Sequence, residues 1–134
     1  EKNQKNYEIF DLTGKSDNFN QKMEQFLREK VIEKREIDGI FAVTDAYALQ
    51  IIHFLERFNI RIPEEVQVIG FDGVKSSLND QIEISTIRQP IEKIAKESVK
   101  GIIALVNGQV VSPEMILPVK FIQGKTTKIK KTAN

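Results

Sequence analysis

Apolar residues recur along this chain in two rhythms. Residues 40–43 and 66–70 are near-continuous apolar runs, a pattern that suits strands covered on both faces rather than strands with one wet side. Around them the apolar positions step by threes and fours. Met23, Phe26, Leu27 and Val31 predict a helix over about 19–34, and a second helix is expected over 46–58. A short strand is expected at 7–12, followed by "TGKSDN", turn chemistry in which Ser16 or Asp17 is placed to cap the first helix. Pro63 breaks the chain before the 66–70 strand. Residues 74–85 read mostly as loop with one helical turn, and "STIRQP" as a short extended piece stopped by Pro90. A long helix should then run over 90–107, with Pro90 in its first turn and Gly108 just past its end. "EMILPVKFIQG" alternates well enough for a last strand, which Pro118 confines to an edge or a kink. Residues 125–134 are expected to form a loose basic tail. Strands separated by single helices define the fold class: α/β, with a parallel, doubly wound, Rossmann-like sheet.

In such a sheet small molecules sit beyond the carboxyl ends of the strands, where loops diverge and helix N-termini point. The expected strands end on Thr13 and Gly14, on Thr44 and Asp45, and on Asp72 and Gly73. A carboxylate at that edge can accept bonds from two neighbouring hydroxyls, and a following glycine lets the chain turn without crowding the ligand. Asp72 is therefore expected to face a polyol. The plainer alternative is that Asp45 and Asp72 cap helices. For Asp45, directly before "AYALQIIHFL", the cap is the favoured role; for Asp72 the ligand is, because little helical pattern follows Gly73. Thr44 is balanced between lining the site and satisfying backbone.

The helix over 46–58 carries more apolar surface than one sheet needs. Steps of 100° put Tyr47, Ile51, Phe54 and Phe58 on one stripe and Ala48, Ile52 and Leu55 on another, an arc of roughly 220° where about half would cover a sheet. Deep burial inside its own domain explains this blandly; a stripe set against a partner subunit explains it more sharply.

Composition mainly excludes. Of 134 residues, 20 are basic and 19 acidic, for a formal charge of +1, too balanced to name a nucleic acid or an anionic membrane as partner. The absence of cysteine removes disulfides and thiol chemistry and fits a reducing interior. His53 is the single histidine and lies on the polar side of its helix, so no metal site or histidine-based triad is expected, nor any cofactor. No stretch has the length of a membrane span, and the N-terminus lacks the apolar core of a secretory signal.

"DGIFAVTDAYAL", "RIPEEVQVIGFDG" and "STIRQP", in this order and spacing, resemble the effector-binding domain of the lactose-repressor (LacI/GalR) family of bacterial transcription regulators, within it the sucrose repressors most. The resemblance covers about residues 7–124. It implies the C-terminal lobe of a type I periplasmic-binding-protein-like fold, with residues 1–124 forming part of the effector-binding domain and 88–112 crossing toward an N-terminal lobe outside this chain. It implies a sugar or sugar-phosphate effector held by Asp72, Thr44, Gln89 and, as a displaced stacking aromatic, Phe19. Thr44 stands where many relatives have Asn. A homodimer interface is implied at Tyr47, Ile51, Phe54, Phe58 and Leu78, although Asn79 and Asp80 beside Leu78 are poor apolar contacts. Operator DNA is expected to be read only through an N-terminal helix-turn-helix that this chain lacks, in a cytoplasmic protein with no membrane partner and no enzymatic activity. The main alternative is a sugar-binding component of an importer with the same fold. A receiver-like phosphoryl acceptor is disfavoured, because the first strand end supplies only Asp11 where a Mg²⁺ site needs an acidic pair.

Overall fold

The computed structural model describes residues 7–11, 18–73 and 82–129. The expected Ser16/Asp17 cap, the Thr13–Gly14 strand end and Leu78 lie outside the described residues. The chain divides into two compact units, residues 1–37 and 38–134.

The first unit is a helix with an unusual second half. α1 (Phe19–Leu27) continues into a π-helical stretch, Arg28–Glu33, in which Lys34 N–H bonds the Glu29 carbonyl five residues back at 3.0 Å. The same five-residue spacing joins the Lys34 ammonium to the Glu29 carboxylate. Left-handed Arg35, at φ 51°, ends the helix. Met23, Leu27 and Val31 are buried, as their spacing predicts. Residues 7–11 are not a strand: Phe10 stacks on Phe26 at 4.1 Å between ring centroids. Apolar residues interleaved with Glu8 and Asp11 suit a strand, but a single aromatic among them can equally pack on a helix, and here Phe10 does so.

The second unit is a four-stranded sheet in the order β1–β2–β3–β4: β1 (Gly39–Phe41), β2 (Gln67–Asp72), β3 (Ser85–Arg88) and β4 (Lys120–Ile122). β1, β2 and β3 are parallel and β4 is antiparallel to β3, on the edge. Pro118 falls just before β4, which shortens the expected strand to three residues. Between β1 and β2 runs α2 (Asp45–Arg57), packed on β2. Val68 and Gly70 of β2 point to that helix and are buried. Ala48, Ile52 and Leu55 of α2 are buried as well. On the other sheet face Phe41 and Phe71 meet edge to face at 6.2 Å.

α3 (Ile91–Val106) starts after Pro90 and ends before Gly108, whose φ of 73° suits a helix-terminating glycine. It buries none of its residues, so Ile91, Val99, Ile102, Ile103 and Leu105 remain exposed. The segment expected to begin a loose tail is not loose. Thr126 and Thr127 are buried, and Thr126 bonds both β2 and β3. Charge suggests a solvated tail, but the Thr126 and Thr127 hydroxyls, between the lysines, bond Val68 of β2 and Ser85 of β3.

Candidate functional site: the carboxyl edge of β1, β2 and β3

Thr44 is the N-cap of α2: its Oγ1 accepts from the Tyr47 N–H at 3.2 Å, and the same hydroxyl still has a proton to donate. Asp45 is therefore not the cap, contrary to the favoured expectation. As the first residue of α2 it turns inward and is 7 % exposed, with one oxygen, Oδ2, accepting from Gly73 N–H at 2.9 Å and the other, Oδ1, from the Thr86 hydroxyl at 2.5 Å. A buried carboxylate needs such partners, since an unmet one is costly.

Gly70 explains how the carboxylate fits. A Cβ on Gly70 would lie 2.3 Å from Asp45 Oδ1. An isolated glycine inside a strand signals just such a close approach, and it was the available sign that Asp45 reaches into the sheet. No other local pattern marks Asp45 or Thr86, whose partners lie far along the chain.

Asp72 closes β2, opposite Arg88 in register, with a backbone φ of 111° that side-chain-bearing residues seldom adopt. Its carbonyl accepts from Gln89 N–H at 3.1 Å, and its carboxylate Oδ1 accepts from Gln89 Nε2 at 2.7 Å. Among the described residues Gln89 is its side-chain partner, leaving Oδ2 as further accepting capacity. Gly73 follows at φ 68°, and a Cβ there would lie 2.6 Å from the Arg88 backbone, so only glycine makes this turn without strain. Asp72, Gly73 and Gln89 are all half-buried.

Thr44, Asp72 and Gln89 thus share one rim of the sheet, tied together because the residue after Thr44 bonds the residue after Asp72. Phe19 opens α1 in the first unit and is half-buried. Of the expected dimer stripe, Ile51 is 7 % and Phe54 3 % exposed, so these two are already used inside the chain and are corrected to core. Tyr47 and Phe58, the latter 5.0 Å from Phe54 between ring centroids, stay half-exposed. A groove of about 710 Å³ runs between α3 and residues 110–119. It reaches Gln89, but Thr44, Asp45 and Asp72 are not in its walls, which include Ile94, Val111, Met115 and Leu117. Its apolar lining suits packing better than polyol recognition. No group of acidic or histidine side chains that could hold a metal occurs among the described residues, and none of their helices is long and apolar enough to cross a membrane.

A mostly parallel open sheet with its polar groups gathered on the carboxyl edge is a lobe of the kind that clasps small molecules. The family described as periplasmic binding protein-like domain matches residues 3–127, and the chain belongs to it. The sucrose operon repressor of Streptococcus mutans is 31 % identical over 118 residues, covering 88 % of this chain and 36 % of that protein. A LacI-type regulator from Alkaliphilus metalliredigens, solved with D-xylulofuranose, superposes with a TM-score of 0.65 at 33 % identity, covering 81 % of this chain and 41 % of its own. A dimeric Lac repressor superposes at 0.67 with 25 % identity, over 80 % and 38 %. The chain spans about a third of the length of the curated relatives it matches. The resemblance to LacI-type effector-binding domains therefore stands, as does the fold class.

Proposed function

We propose that this chain is part of the effector-binding domain of a sugar-responsive transcriptional repressor, and that Asp72 is the residue that grips the sugar. One observation carries the reading: a half-buried carboxylate held at φ 111° on the carboxyl edge of the sheet, one oxygen engaged by Gln89. Backbone in that region costs about 1–3 kcal/mol and is retained chiefly where function needs it. Oδ2 accepts from a sugar hydroxyl, Thr44 donates to a neighbouring one, and the Gln89 amide, with its second N–H, completes the polar wall. The effector class is a sugar or sugar phosphate.

Residues 88–112 cross toward a second lobe, a reading supported by α3, which buries none of its sixteen residues here. Subunits pair through Tyr47, Phe58 and Leu78. Operator DNA is bound by a separate helix-turn-helix, and the protein works in the cytoplasm without catalytic chemistry. Effector acts by favouring the closed arrangement of the lobes, so its influence on DNA equals its difference in affinity for the two arrangements. That the named relatives are operon repressors favours this over the importer component.

Calorimetric titration of the intact protein with sucrose, D-xylulose, D-ribose and their phosphates tests the reading. One of them should bind, and Asp72→Ala should weaken it by about ten- to a hundredfold, the worth of a hydrogen bond to a charged group. Equal binding by the Asp72→Ala variant overturns it.

A further inference from the structure

We infer that Asp45 is a positioning residue for the effector: from the start of α2 it holds the Gly73 amide and the β3 hydroxyl of Thr86, and so fixes the turn that presents Asp72. The inference rests on the sugar-sensor reading and adds to it a residue that does not touch the sugar.

Asp72 and Gly73 both sit at positive φ, at 111° and 68°. Gly73 takes its φ at little cost, but Asp72 persists at 111° only if its surroundings overdetermine it. The determinants are few and identifiable. On one side Gln89 bonds the Asp72 carbonyl and carboxylate. On the other, Asp45 Oδ2 takes the Gly73 N–H at 2.9 Å, a hydrogen bond that draws this turn toward α2. Oδ1 takes the Thr86 hydroxyl, and Thr86 stands opposite Gly70 in the β2–β3 register, two residues before Arg88, which faces Asp72. A single buried carboxylate therefore joins three elements: α2, the end of β2, and β3. The absence of a side chain at Gly70 leaves the space it occupies. Without Asp45 the Gly73 amide loses its acceptor, the turn relaxes toward ordinary backbone, and the Asp72 carboxylate swings off the hydroxyls it should meet. A shift of about 1 Å suffices to remove most of a directional contact.

The test uses the intact protein, with sucrose, D-ribose and D-xylulose titrated side by side. Asp45→Ala should weaken sugar binding about tenfold. Gly70→Ala should do the same, because its methyl group displaces the carboxylate without deleting it, and this second variant keeps the question open to decision if Asp45→Ala fails to fold. Asp45→Asn should recover most of the affinity, since its oxygen can still accept from Gly73 while its amide donates to a reversed Thr86 hydroxyl. Val66→Ala, a core truncation away from the edge, should lower the melting temperature and leave affinity unchanged. In an Asp72→Ala background, Asp45→Ala should cost nothing further, because it acts through the group already removed. Without any sugar, amide exchange at Gly73 should accelerate in Asp45→Ala, and the Gln89 side-chain amide resonances should move.

Unchanged affinity and unchanged Gly73 exchange in Asp45→Ala overturn the inference. So does a loss that adds in full to that of Asp72→Ala, or one matched by Val66→Ala. The two claims separate cleanly: if Asp72→Ala binds every sugar as before, or none binds at all, the sensor reading fails. The Gly73 and Gln89 signals then decide alone whether Asp45 sets the turn.

Discussion

The two ends of β2 and β3 are built from the same kinds of atoms to opposite purposes. At the amino ends, hydroxyls close on one another. Ser85 Oγ lies 2.7 Å from Thr127 Oγ1 and accepts from Gly124 N–H at 2.9 Å, while Thr126 Oγ1 accepts from Ser85 N–H and donates to the Val68 carbonyl. Gln123 Nε2 donates to Thr127 Oγ1 and to its carbonyl. Ser85 is fully buried there. At the carboxyl ends, by contrast, a carboxylate stands at a strained φ with accepting capacity left over. A network whose members satisfy one another makes a rigid base. An edge with unused capacity and strained backbone is where a ligand can be recognised.

The contrast can be broken first at the base. A Cβ on Gly124 would meet the Glu83 carbonyl at 2.2 Å and the Ser85 nitrogen at 2.6 Å, backbone that cannot step aside. Gly124→Ala should lower unfolding free energy by about 3 kcal/mol or more, read as a shift in denaturation midpoint, or abolish folding. Thr126→Val comes next. It strands the Ser85 amide and the Val68 carbonyl together, and should cost about 2 kcal/mol of stability with sugar affinity held within about twofold. The edge should answer in reverse. Asp72→Gly relieves the positive φ as it removes the Gln89 contact, so stability should stay within about 1 kcal/mol while sugar binding falls about ten- to a hundredfold. If Thr126→Val weakens sugar as much as Asp72→Gly does, the division between base and edge is wrong.

The smallest effect lies on the π-helical stretch. The hydrogen bond and charge of Lys34 hold Glu29 below the usual carboxylate range, and Glu29 in turn raises Lys34. The Glu29 contribution is present above its unfolded pKa and fades as pH falls through the lowered folded value; that of Lys34 is present below its unfolded pKa and fades as pH rises through the raised folded one. Both groups are solvent-exposed, so Glu29→Gln should move the melting temperature barely above measurement error at any pH, and only at low salt.

Much of this was legible because periodicity reports burial directly. The helices over 19–34, 46–58 and 90–107 fall within a residue or two of those observed, since each buried or exposed stripe recurs at helical spacing. The strand ending in Asp72 was legible from its apolar run and the glycine after it. Residues 7–11 misled because a few apolar residues between charged ones do not say whether they will meet a strand or a helix, and Phe10 found Phe26. Ile51 and Phe54 misled for a related reason: an apolar arc tells how much surface needs covering, not whether the cover is the same chain. Asp45, Thr86 and Thr126 were hidden by distance. Their bonds join residues 41 and 58 positions apart, and apart from the isolated Gly70 no local pattern announces a hydroxyl that meets its acceptor so far along the chain.

That separation also sets an order on biosynthesis. By the time the ribosome has released Asp72, α2 and β2 exist as chain, yet the Val68 carbonyl and amide wait for Thr126, 58 residues later. Closing so long a loop carries an entropic cost that falls due only when the last threonines emerge. Until then the sheet has its carboxyl edge but no floor, so a transcript cut short before Thr126 should yield a polypeptide that chaperones and proteases treat as unfinished.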